Sequence, residues 1–172
     1  MLKVIISILL TLLISIQSCK FPDDVTKRER IDFIWNSIPD EFRMELPEYQ
    51  AYKVGLSYDD YIYMAQVVEA ESDRTDSLDG KILIAAVIFN RVTNPNFASS
   101  VRSVLDEPGQ FSTTSNGSCY ISSTKTSRWA IYLAYNQLEG GDIPDNLLFF
   151  NSIGYNNGSA YGYVDGNYFM TA

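Results

Sequence analysis

The chain has 172 residues, no histidine, two cysteines and a formal charge of −8. The lack of histidine excludes Ser-His-Asp triads, Cys/His hydrolases and histidine-ligated zinc hydrolase sites, and no residue pattern asks for a metal or any other cofactor. The acidic charge is spread along the chain, which argues for a solvated surface and against nucleic-acid binding, and the length suits one domain with a real core.

The first segment, Met1 to Ser18, reads as an export signal. Lys3 supplies the positive end, Val4 to Ile16 is apolar, and small Ser18 precedes Cys19. The apolar run has 13 residues, short of the roughly 20 that span a bilayer. Ile16-Gln17-Ser18-Cys19 resembles a bacterial lipoprotein cleavage box, with Gln17 where a small residue is usual. The expectation is cleavage before Cys19, lipidation of Cys19, and an exported protein held by its lipid at a periplasmic or outer-membrane surface. Ordinary secretion and an uncleaved anchor are the other fates open to this segment. The exported part then carries 12 basic and 21 acidic residues, a formal charge of −9. With Cys19 lipidated, Cys119 has no disulfide partner, so the fold rests on its core; a Cys19–Cys119 bridge would need Cys19 unmodified.

Lys20 to Asp24 read as a short tether, followed by a predicted helix from Val25 to Ile38 with Ile31, Phe33, Ile34, Trp35 and Ile38 as its apolar surface. Pro39 ends it. Asp40 to Leu56 read as a short helix plus connector, so residues 19–56 form an N-terminal extension and 57–172 the main domain. Ser57 is a good N-cap, Asp59 and Asp60 suit the first helical turn, and a helix from Tyr58 to Glu71 follows, lined by Ile62, Ala65 and Val68. A second helix, capped by Asp76 or Ser77, contains the run Ile82 to Phe89, apolar on every side and hence centrally buried. Asn90 and Arg91 close it, Ser100 opens a short helix through Leu105, and Pro108-Gly109 forces a turn. A helix from Ser123 or Thr124 to Glu139 carries Trp129, Tyr132, Leu133 and Tyr135 and stops at Gly140-Gly141. Leu147 to Ser152 and Tyr161 to Thr171 favour strands, Asp165-Gly166 is a hairpin turn, and Gly154 to Ser159 is loop. These elements predict an α+β fold with a mainly helical core and a small antiparallel sheet near the C-terminus.

Glu71 stands at the end of its helix. There the dipole's negative end, together with Glu69, Asp73 and Asp76 nearby in sequence, disfavours an ionised carboxyl. A protonated carboxyl is what a general acid requires, and packing on the apolar second helix would act in the same direction. By position alone an acidic residue at a helix end is more often a surface group.

The segments AQVVEAES, DGKILIAAVIFNRV and EPGQFS together resemble the bacterial cell-wall hydrolase family typified by spore cortex-lytic enzymes. Its pattern is an acidic E-A pair, a G-[QK]-x-A-V-A-x-V-x-x-N-R helix and a P-G-Q-F turn, and the resemblance covers about Tyr61 to Ala172. It implies a lysozyme-like, lytic-transglycosylase-like fold and peptidoglycan glycan strands as partner, with Glu71 as the single catalytic glutamate and Glu69 as the lesser candidate. In the implied reaction, protonated Glu71 donates to the oxygen between N-acetylmuramic acid and N-acetylglucosamine. Its carboxylate then takes the proton of the muramic C6 hydroxyl as an anhydro ring closes. Ordinary glycosidases would need a second carboxylate about 5 to 10 Å away; Asp79, Asp106, Asp145 and Asp165 are candidates, and the sequence singles out none.

The resemblance also makes Gln110 and Ser112 candidate substrate contacts. Glycine at 109 permits an unusual turn, and the Gln110 amide both donates and accepts, although a turn-stabilising glutamine is the plainer alternative. Phe111 reads as core, and Asn90-Arg91 as residues that tie down loops. The aromatic-rich tail, Phe149, Phe150, Tyr155, Tyr161, Tyr163, Tyr168 and Phe169, could line a saccharide groove. Strand alternation sends one of Phe149 and Phe150 to the core and the other away, and the reading here puts Phe149 and Asn151 on the cleft side, with Tyr168 as a further contact. The family often ends in a G-N-H-x-F-like sequence, whereas this chain has Gly166-Asn167-Tyr168-Phe169. The expected protein is a monomeric peptidoglycan-cleaving lytic transglycosylase. The alternatives are a non-catalytic wall-binding lipoprotein and a hydrolytic muramidase. The brevity of the chain and its lipobox-like start favour wall remodelling in a diderm bacterium or a virus-encoded lysin over spore cortex lysis.

Overall fold

The computed structural model describes residues 25–72 and 77–172. The export segment, Cys19, the tether, Asp73 and Asp76 lie outside the described residues. The chain divides into two compact units between Arg43 and Met44.

In the first unit, α1 (Lys27–Ser37) opens on a reciprocal cap, in which Thr26 Oγ1 accepts the Glu29 N–H and Glu29 accepts the Thr26 N–H, satisfying two donors that a helix start leaves free. Pro39 follows its end, and α2 (Asp40–Arg43) is a single turn. Arg43 donates Nε–H to the Ile38 carbonyl at 2.7 Å and lays its guanidinium 5.4 Å from the Trp35 ring.

The second unit runs from Met44 to Ala172. Pro47, at the first position of α3 (Pro47–Lys53), has no N–H to leave unsatisfied there. Gln50 of α3 is fully buried and accepts a hydrogen bond at 2.7 Å from Tyr61 of α4 (Tyr58–Glu71). Residues before Ser57 are thus built into the same core. As predicted, Ser57 caps α4 by accepting the Asp60 N–H. The buried face of α4 is wider than three residues, and Tyr61, Met64, Ala65, Val67 and Val68 are each fully enclosed.

At the centre is α5 (Leu78–Thr93), buried without interruption from Gly80 to Ile88, the outcome expected of a helix that is apolar all round. It packs on α8 (Lys125–Gly140), on α6 (Val101–Leu105), on α4 and on the first strand. Thr124 caps α8, and Gly141, at φ 78°, ends it in the left-handed region. One short helix went unpredicted, α7 (Ser112–Ser115), immediately after the Pro108-Gly109 turn.

The sheet is antiparallel, with strand order β1-β3-β2 for β1 (Leu147–Asn151), β2 (Ser159–Val164) and β3 (Asn167–Thr171). Asp165 and Gly166 make the hairpin turn at φ 51° and 84°, the pair of positive angles that an Asp-Gly turn supplies.

Ser77 occupies the N-cap position of α5 but makes no side-chain cap. The cap comes from far along the chain, since Asp165 Oδ2 accepts the Gly80 N–H at 3.1 Å. A Cβ at position 80 would lie 2.5 Å from that oxygen, so only glycine lets the hairpin seat on the helix start. Gly80→Ala is expected to lower stability by about 1–2 kcal/mol through loss of a charge-assisted bond that is partly solvated. Asp165→Asn, which keeps an acceptor, should lose less. Urea unfolding of the two variants checks this; equal midpoints for Gly80→Ala and the parent would remove the latch from the account.

Candidate active site

The last turn of α4 delivers Glu69 and Glu71 to different surroundings. Glu69 is 5% exposed. Its Oε2 lies 3.3 Å from Nζ of fully buried Lys81 and accepts the Thr124 hydroxyl at 2.6 Å. Its charge is matched inside the core by Lys81. Ser72 ends the helix, its Oγ donating to the Glu69 carbonyl at 2.9 Å.

Glu71 lies instead on the wall of a cavity of about 850 Å³. Thr113 donates both its N–H, at 3.1 Å, and its hydroxyl, at 2.6 Å, to Glu71 Oε1. Among the described residues Oε2 receives neither of these bonds. The Thr113 N–H belongs to the first turn of α7, where backbone donors have no partner within the helix, so Glu71 completes α7 while α7 fixes the carboxyl. Two donors converging on one oxygen hold the plane of the carboxyl and distinguish its two oxygens.

The local chain explains why Thr113 reaches Glu71. Gly109 adopts φ 80°, a left-handed angle that suits glycine. The turn brings Phe111 into the core with no exposed surface, and α7 starts directly after it. Arg91 clamps this turn from the end of α5. Its guanidinium lies 5.2 Å from the Phe111 ring and 5.1 Å from that of Phe97, and its Nε–H donates to the Leu148 carbonyl at 2.9 Å. Burial pushes the Arg91 guanidinium down to about 10, against the pull of Glu107 and Glu71 in the other direction, so it is a cation at neutral pH. Among the described residues, Arg91 Nη1 and Glu107 Oε2 are both enclosed without a hydrogen-bond partner.

Four of the residues singled out in the sequence, Gln110, Ser112, Phe149 and Asn151, line the same cavity as Glu71. The expected split of the two phenylalanines between core and cleft is not found: both Phe149 and Phe150 reach the cavity and both are half-buried. A register shift between Leu147 and Phe149 interrupts the alternation, leaving Leu147 and Leu148 buried side by side. Phe150 leans on buried Phe111 and Phe169, with ring centres 6.1 and 5.8 Å away, and Phe149 faces Phe97 at 6.4 Å. Asn151 spends its amide on the neighbouring loop: Oδ1 accepts the N–H groups of Ile153 and Gly154, and Nδ2 donates to Asn156 at 2.8 Å. Tyr168 is not on the cavity wall. Its ring packs between Tyr155 and Tyr163 on the sheet beyond it.

Arg91, Thr113, Asn157 and Asn167 also line the cavity without having been assigned to a site from sequence, and of the four candidate second carboxylates Asp165 is on the same wall. Arg91 was read as structural, which its bond to Leu148 supports, yet it contributes to the wall as well. Asn90 is wholly structural, donating to the carbonyls of Pro144 and Leu147 at 2.9 and 3.0 Å. The amides of Gln110, Asn157 and Asn167 and the hydroxyls of Ser112 and Ser152 give the cavity a largely neutral polar lining, suited to hydroxyl and acetamido groups. Among the described residues no group of three or more His, Cys, Asp or Glu is placed to hold a metal, and no helix is long and apolar enough to cross a membrane.

A family model described as cell wall hydrolase matches residues 75–163. The matched span starts after Glu71 and stops before the Asp165-Gly166 turn. The spore cortex-lytic enzyme of Bacillus subtilis (strain 168) is 35% identical over 96 residues, covering 56% of this chain and 30% of the relative. The Bacillus cereus enzyme of the same name is 35% identical over 96 residues, covering 56% and 36%. The chain thus spans about a third of the length of these relatives. Among solved structures, the catalytic domain of the Bacillus cereus SleB protein superposes with a TM-score of 0.58 at 28% identity, covering 67% of this chain and 91% of that one. The catalytic domain of the germination-specific lytic transglycosylase SleB from Bacillus anthracis gives 0.57 at 28% identity, covering 68% and 98%.

Proposed function

Because the chain belongs to the cell wall hydrolase family, we propose that it cleaves the glycan strands of peptidoglycan between N-acetylmuramic acid and N-acetylglucosamine, as a lytic transglycosylase with Glu71 as acid and then base. The observation that carries this reading is the asymmetric holding of Glu71 on the cavity wall, with Oε1 engaged twice by Thr113 and Oε2 left out of both bonds. In the proposed step Oε2 carries the proton. It passes to the glycosidic oxygen as the bond from that oxygen to the muramic C1 breaks. The resulting carboxylate accepts the proton of the C6 hydroxyl as O6 bonds to C1. One group serves in both directions and no water is consumed.

Gln110, Ser112, Asn157 and Asn167 are proposed to orient the sugars through their hydroxyl and acetamido groups, and fixed, cationic Arg91 to hold the wall behind them. The substrate lies outside the cytoplasmic membrane, so the proposal includes export, with Cys19 as the lipid-bearing residue. Digestion of purified sacculi followed by mass spectrometry of the fragments is the test. Anhydromuramoyl ends are expected. Reducing muramic ends would replace the transglycosylase by a hydrolase, and the absence of soluble fragments alongside retained binding would favour the non-catalytic wall-binding reading.

A further inference from the structure

Outside the cavity, Tyr168 on the sheet makes ring contact with two further tyrosines, Tyr163 on the neighbouring strand and Tyr155 in the loop after β1. Tyr168 of β3 is the register partner of both Asn151 on β1 and Tyr163 on β2, so one cross-strand rung runs Asn151–Tyr168–Tyr163. The Tyr163 and Tyr168 rings lie 4.5 Å apart between centres, and Tyr155 meets Tyr168 edge-on at 5.0 Å. Tyr163 is 58% exposed and Tyr155 44%. Tyr155 belongs to the loop that Asn151 ties down through its amide. The rung therefore starts at a residue of the cavity wall and ends in open solvent.

From this arrangement we propose that Tyr155, Tyr168 and Tyr163 form an outer platform that receives the glycan strand where it leaves the cavity. The proposal rests on the glycan-cleaving reading above and extends it beyond the reacting sugars. Exposed aromatics in contact with one another are held in fixed orientations and present apolar faces with hydroxyls at their rims. Sugar rings offer the matching surface, C–H groups on a face and hydroxyls at the edge. The platform is uncharged, so it accepts a long strand without the repulsion that an acidic protein with a formal charge of −8 would exert on an anionic polymer at its carboxylates. Asn151 takes the part of a positioning residue, holding the Tyr155 loop against the rung.

The platform makes binding depend on chain length. Tyr155→Ala and Tyr163→Ala each remove an exposed side chain, and their folding is checked by circular dichroism and thermal unfolding. The probes are labelled peptidoglycan strands freed of stem peptides and a short fragment only long enough to fill the cavity, titrated against Glu71→Gln protein so that nothing is cut. Each substitution is expected to weaken long-strand binding by roughly fivefold or more and to leave the short fragment unchanged. Undiminished long-strand binding, or equal loss on both probes, would overturn the platform. A loss seen only with strands that retain stem peptides would overturn it in favour of a peptide-reading surface. If the protein with intact tyrosines binds neither probe, the glycan reading itself fails and the platform with it.

Discussion

Replacing Glu71 by glutamine is expected to cut the release of soluble fragments from sacculi by about 10²- to 10⁴-fold, the range over which a positioned acid-base group acts, with little change in stability. Glutamine has the size of glutamate and still presents an oxygen to the Thr113 N–H and hydroxyl, so the contact between α4 and α7 survives. It cannot donate the proton or recover one, so both halves of the proposed reaction stop together. The companion Thr113→Val keeps the backbone N–H and removes the hydroxyl bond at 2.6 Å. It should slow turnover by about tenfold, because the carboxyl loses orientation and keeps its chemistry. Initial rates of fragment release, set beside unfolding midpoints, separate these outcomes. A Glu71→Gln protein that cuts as fast as the parent would remove Glu71 from the mechanism, and with it the reading of the cavity as an active site.

What the sequence made legible were features encoded within a few residues or along one period. The N-caps at Ser57, Ser100 and Thr124, the stop at Gly141, the buried run of α5 and the Asp165-Gly166 hairpin are of this kind, and each stands where local chemistry puts it. The α+β fold followed from them. The unpredicted features join residues far apart in the chain. Asp165 caps a helix 85 residues earlier, and Thr113 meets a glutamate 42 residues before it; no spacing rule encodes either partnership. The register shift on β1 likewise depends on its β3 partner, which is why Leu147 and Leu148 break the expected alternation and are buried side by side. Glu69 is the clearest case, because the sequence sets it beside Glu71 as a like charge and the fold gives it Lys81.

That buried pair carries the largest expected effect on stability. Lys81 is completely enclosed and Glu69 nearly so, and with the Thr124 hydroxyl they join the end of α4, the start of α5 and the N-cap of α8. Lys81→Met would leave a carboxylate in the core without its cation, and breaking a buried pair from one side costs about 3–5 kcal/mol. Glu69→Leu would take its carboxylate partner from the buried ammonium, also at a cost of a few kcal/mol. The double substitution removes both charges at once, and Thr124 keeps a partner in Ser127 Oγ at 3.2 Å, so its stability should return to within about 1–2 kcal/mol of the parent. Urea unfolding of the four proteins measures the coupling. Two single losses that simply add in the double variant would mean that the charges do not depend on each other. Turnover carries separate information, because Glu69 is two residues before Glu71 on the same helical turn. If the pair also sets the direction of that turn, the double variant will fold and still cut sacculi more slowly than the parent, whereas full activity would confine the pair to the core.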